Sequence, residues 1–110
     1  MRDEALKIED LGVQGASRVL RLEGALTLST LFQFQNVVRT AVTGSLAIDM
    51  TQVSYVDSAG VGALVGAYVR HQKDGHTVTL AGANERVRNT LKVTRVDNFF
   101  RYMDSLPQSA

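Results

Sequence analysis

Asp57 and Ser58 stand side by side within AIDMTQVSYVDSAGVGALVGAY, residues 47–68, and Ala59, Gly60, Val61 and Gly62 follow at once. If a helix begins here, its first turn has unpaired N–H groups and a positive dipole end, so an oxygen of Asp57 or Ser58 can accept a bond from it. An ordinary helix cap therefore accounts for both residues. The same position also favours a phosphate on the hydroxyl, because dipole and free N–H groups both attract a dianion. Ala59, Gly60, Gly62, Ala63 and Gly66 leave the helix thin, although Gly costs roughly 1 kcal/mol against Ala in a helix interior. Tight packing on the protein's own sheet and close approach of an external partner both explain such thinness, and the local sequence does not choose between them.

Other chemistries fit these residues poorly. A serine hydrolase needs a G-x-S-x-G elbow, but Val56 occupies the first Gly position. It also needs a general base, and the only histidines are His71 and His76, expected at the far end of the helix and in the following turn. These two are five residues apart around Gly75, which matches no zinc spacing, and we expect both at the surface with no metal site. Gly60, Gly62 and Gly66 resemble a dinucleotide loop, but the spacing departs from the common one and the strand is expected to end near Met50. There is no G-x-x-x-x-G-K-[ST] element for autonomous ATP hydrolysis. The residues point to no enzyme and to no cofactor.

The elements that must position this turn follow from periodicity. Leu6 to Leu11 and Arg18 to Gly24 alternate with period two and read as a hairpin, with Gly12 and Gly15 marking the turn. Ser29 can cap a helix carrying Leu31, Phe34, Val38 and Ala41 at three- and four-residue spacing, ended by Gly44. Ser45 to Met50 reads as a central strand buried on both faces. Ser58 to Lys73 places Val61, Leu64, Val65 and Tyr68 on one helical stripe, and Gly75 stops it. Thr77 to Leu80 alternates again, Asn84 caps a third helix buried through Val87 and Leu91, and Asp97 to Tyr102 gives a last strand. On that third helix Arg88, Lys92 and Arg95 recur along one side, which could face an acidic partner or anionic lipid, and which we expect to be the solvated outer face opposite Val87 and Leu91.

Strands alternating with helices join by crossovers, so the expected fold is α/β, with an antiparallel N-terminal pair, later strands parallel, four or five strands in all and at least three helices. At 110 residues the chain has the size of one domain, expected over 1–110 with its core in about 5–105 and a loose tail at 106–110. The net charge of +1 lacks the basic excess of a phosphate-backbone binder, so direct nucleic-acid binding is not expected. No Cys is present, which removes disulfides and thiolate chemistry and fits a cytoplasmic setting. No apolar run reaches the roughly 18 residues of a membrane helix.

The succession of buried strand, VDSAGVGAL and helix resembles the STAS domain of bacterial anti-sigma-factor antagonists. RLEGALTLSTLFQFQNVV resembles that family's second strand, its Gly-Glu-Leu-like turn and first helix, and LKVTRVDNFFRYMDS its third helix and final strand. The likeness covers about residues 5–105. It implies a STAS-like fold in which Ser58 is phosphorylated by a partner that is both serine kinase and anti-sigma factor, and dephosphorylated by a metal-dependent Ser/Thr phosphatase. Unmodified protein would then bind the anti-sigma factor and free a sigma factor, with Asp57, Ser58, Ala59, Gly60, Val61 and Gly62 at the contact. Ala59 replaces a common Ser, and Thr27 stands where many members carry an acidic residue. Related STAS domains also serve as non-enzymatic subunits of phospholipid-transport ABC complexes or as stress-signalling scaffolds, and fold alone does not separate these roles.

Overall fold

A period-two pattern at the start of the chain builds the first edge of a sheet. In the computed structural model, which describes residues 5–40 and 44–106, β1 (Leu6–Gln14) pairs antiparallel with β2 (Ser17–Leu26). Gly12 lies inside β1 at an irregularity of register, with φ +77 and its N–H donating to Asp10 Oδ1 at 2.9 Å. The chain then alternates through α1 (Leu31–Thr40), β3 (Ser45–Val56), α2 (Ser58–Gln72), β4 (Val78–Ala81), α3 (Glu85–Val93), a 3-10 turn (Asp97–Phe99) and β5 (Arg101–Met103). The five strands lie in the order β1-β2-β3-β4-β5, and every pair after the first is parallel. This is the expected mixed sheet with three α-helices.

Burial of one stripe per helix holds the layers together. Leu31, Phe34 and Val38 of α1, Leu64 and Ala67 of α2, and Val87 and Leu91 of α3 join Leu20, Leu22, Ile48, Met50 and Leu80 of the strands in one core. Each of these side chains other than Ala67 contributes about 1.5–3 kcal/mol when removed from water. The expected Ala41 of the α1 stripe and the tail beyond residue 106 lie outside the described residues.

β1 runs to Gln14, past the turn expected at Gly12, and β3, the last strand and the burial of His71 also differ from the sequence expectation. β3 runs six residues past Met50 to Val56, because two register shifts against β2 let the strand continue through exposed Thr51 and Gln52, where no apolar run marks it. Asp97–Phe99 is a 3-10 turn and not strand; Tyr102 O–H donates to Asp97 O at 2.7 Å across it, and the last strand is only Arg101–Met103. His71 is buried, 3% exposed, where a surface position was expected. It falls seven residues after Leu64, on the inner stripe of α2, and its Nδ1 lies 2.8 Å from Ala67 O. His76 is half-buried, while Arg88, Lys92 and Arg95 are exposed as expected.

Candidate functional site at the tip of α2

β3 delivers the chain to Asp57, whose extended backbone ends the strand and caps α2. Asp57 Oδ1 accepts from Gly60 N at 2.8 Å, and Asp57 O accepts from Val61 N at 2.8 Å. Its other oxygen reaches a different element: Oδ2 accepts from Leu28 N at 3.2 Å, in the turn that precedes α1. A second strut runs beside it, from Asp57 N to Leu26 O at 3.2 Å. One carboxylate thus satisfies an orphan donor of α2 and fixes the β2–α1 turn against the tip.

Ser58 is exposed at the first position of α2, and among the described residues no hydrogen bond engages its hydroxyl. The cap role belongs to Asp57 alone. Of the six residues expected at a partner contact, Ser58 and Gly62 are exposed, Asp57 and Ala59 half-buried, and Gly60 and Val61 buried. The buried pair packs inside the tip, and the exposed pair lies on its surface.

The glycines separate in the same way. A Cβ on Gly60 would overlap the Leu26 carbonyl oxygen and stand 2.8 Å from Val56 Cγ1, so internal packing explains this glycine. At Gly62 and Gly66 a Cβ would have nothing within 4 Å. All three lie within α2.

Around the tip lie residues the periodicity did not single out. Leu28, in the turn before α1, and Phe32, in its first turn, are 66% and 65% exposed. Phe34, Val38, Ala63 and Ala67 floor a groove between α1 and α2, bordered by Gln35, Arg39, Gly66 and Arg70. Phe32 could have been noticed as a large apolar side chain one step off the Leu31–Phe34–Val38 stripe, but its exposure is a property of the assembled fold. Among the described residues no group of three or more His, Asp or Glu side chains is placed to hold a metal. None of their helices is long and apolar enough to cross a membrane.

Comparison with known proteins places this geometry among relatives. Residues 10–105 match the family model described as Mlab, STAS domain. The chain is 32% identical over 85 residues to the intermembrane phospholipid transport system binding protein MlaB of Escherichia coli, covering 77% of this chain and 88% of that protein. Among solved structures, an anti-sigma factor antagonist from Mycobacterium paratuberculosis superposes with a TM-score of 0.77 at 19% identity, over 91% of this chain and 88% of that one. The unphosphorylated anti-sigma factor antagonist SpoIIAA gives 0.70 at 19% identity, over 92% and 90%. At that identity the two structures establish the fold only.

Proposed function

The chain belongs to the STAS domain family, and from that premise we propose that it is a non-enzymatic binding subunit whose α2 tip docks onto the ATPase of a phospholipid-transport ABC complex on the cytoplasmic side. The observation that carries the binding role is the pair Gly62 and Gly66, exposed on α2 with open space where side chains would stand. The helix forgoes roughly 1 kcal/mol of propensity at each, and nothing inside the fold requires it. A partner backbone approaching α2 closely does require it. The likeness to a phospholipid-transport binding protein directs the choice of partner.

A second reading rests on the exposed, unbonded Ser58 hydroxyl. In it the protein is an anti-sigma-factor antagonist. The γ-phosphoryl of ATP passes to Ser58 Oγ on an anti-sigma serine kinase, the hydroxyl proton leaves and ADP departs; a metal-dependent phosphatase later hydrolyses the ester. Phosphoserine carries about −1.5 to −2 charge. Asp57 beside it opposes that charge while the helix dipole favours it, so the fold survives and the interface, which must desolvate the dianion, is lost.

One experiment separates the two. Wild type, Ser58→Ala and Ser58→Glu are titrated against the purified transporter ATPase and against the serine kinase with ATP. Tight ATPase binding retained by Ser58→Ala and lost by Ser58→Glu supports the transport reading. Phosphate transfer mapped to Ser58, with no ATPase binding, replaces it by the second.

A further inference from the structure

The groove between α1 and α2 has a polarity that the tip alone does not explain. β2 and β3, and likewise β3 and β4, are parallel neighbours joined through α1 and α2, so both helices return antiparallel to the sheet and their C-terminal ends lie together. There Arg39 and Arg70 border the same groove, both exposed. Neither α1 nor α2 contains a single Asp or Glu, and among the described residues neither arginine pairs with a carboxylate. Toward the opposite end, exposed Leu28 is bonded to Asp57 at the α2 tip, and exposed Phe32 stands in the first turn of α1. Gly66, Ala63 and Ala67 keep the space between shallow in side chains.

A basic residue in a last helical turn complements its own dipole, worth about 0.3–1 kcal/mol. That accounts for a positive charge on each helix. It does not account for two guanidinium groups bordering one groove without an acid on either helix, an arrangement of like charge that gains by receiving an anion from outside.

We infer that this groove seats one α-helix of the partner, amphipathic, apolar where it meets Leu28 and Phe32 and bearing a carboxylate where it passes Arg39 and Arg70. From Ser58 to Arg70 is twelve residues along α2, about 18 Å at 1.5 Å per residue, so the seated segment is about three turns long. The small residues set how closely it approaches, the apolar end contributes burial, and the arginine pair fixes its direction. This inference rests on the α2 tip being the partner-docking surface, and it adds which partner chemistry that surface selects.

The test uses the whole chain and the purified transporter ATPase, with binding measured at low and at physiological salt. Arg39→Glu/Arg70→Glu is expected to weaken binding at least about tenfold, Arg39→Gln/Arg70→Gln several-fold with a flatter salt dependence, and Arg39→Lys/Arg70→Lys to stay near wild type. The Gln pair keeps the result readable if the Glu pair fails to fold. Unchanged affinity in the Gln pair, alongside loss in Ser58→Glu, overturns the acidic-helix inference and leaves the docking site standing. Absence of any wild-type binding overturns both.

Discussion

Asp57 and Leu28 are 29 positions apart in the chain and joined by one hydrogen bond, Leu28 N to Asp57 Oδ2 at 3.2 Å. Because Oδ1 of the same carboxylate accepts from Gly60 N, removing it takes away the α2 cap and the Leu28 bond together, and leaves, among the described residues, only the backbone bond from Asp57 N to Leu26 O between the two elements. Asp57→Ala is expected to cost about 2 kcal/mol, about 1 for the cap and the remainder for the second bond. Asp57→Asn keeps an acceptor for Gly60 but turns an amide donor toward the Leu28 N–H, and falls between. Ser58→Ala, which breaks no hydrogen bond among the described residues, stays within about 0.5 kcal/mol of wild type. Urea titration of the four proteins checks the ranking; a Ser58→Ala loss equal to that of Asp57→Ala would mean the cap has been misassigned.

The glycines of α2 make a sharper contrast. Gly60→Ala pushes a methyl into the Leu26 carbonyl and the Val56 side chain, and since the obstacle is backbone the expected loss is about 3 kcal/mol. Gly62→Ala meets open space and is expected to stabilise by up to about 1 kcal/mol through helix propensity. If the proposed docking is correct, Gly62→Leu folds normally and binds the ATPase weakly. Thermal melts paired with titration separate the two effects, and a destabilised Gly62→Ala would remove the argument that this glycine serves something outside the fold.

Much of this arrangement is legible in the sequence, for a physical reason. Leu31, Phe34 and Val38, or Val87 and Leu91, declare their helices because one face must leave water. A cap at Asp57 or Ser58 is declared because few side chains can reach the first-turn N–H groups, and only the fold assigns it to Asp57. The end of β3 is hidden because Thr51 and Gln52 sit where the strand irregularly departs from its neighbour, and alternation fails there. His71 is hidden because a polar side chain there completes the buried stripe two turns beyond Leu64. Arg39 and Arg70 are remote in sequence, and only the parallel crossovers bring them to one groove.

The pH dependence of stability should be carried in part by Asp49. Burial acts to raise its pKa, but the hydrogen bonds from Thr51 N at 3.0 Å and Thr51 Oγ1 at 2.7 Å, with the Arg21 guanidinium at 3.2 Å, outweigh it and hold the carboxyl below its ordinary value of 3.8. Asp10, held by Arg18 and by Gly12 N, is shifted the same way. A pKa lower in the folded state contributes stability that is complete above the unfolded value and is lost as pH falls through the folded one. The contribution of these two carboxylates should therefore be complete above about pH 4 and decline below it. Asp49→Asn should be less stable at pH 7 and lose less on acidification; a parallel pair of pH profiles would count against this assignment.

Thr27 and Thr30 offer a test in which one hydroxyl matters and its neighbour does not. Thr27 is 7% exposed, its N–H donates to Thr30 Oγ1 at 2.9 Å, and its carbonyl accepts from Thr30 N and Leu31 N. Its own Oγ1 is buried without a partner among the described residues. Thr30 Oγ1, by contrast, also donates to Ala25 O at 2.9 Å and so closes the turn that presents Leu28. Thr27→Val keeps the shape and removes an unsatisfied group, so it should be neutral or stabilising by about 1 kcal/mol. Thr30→Val strands the Thr27 N–H and should cost about 2 kcal/mol. Chemical denaturation of both variants decides the matter. A clear loss in Thr27→Val would mean that its hydroxyl has a partner after all, and that the turn beside the α2 tip is held by more than the Thr30 side chain and Asp57.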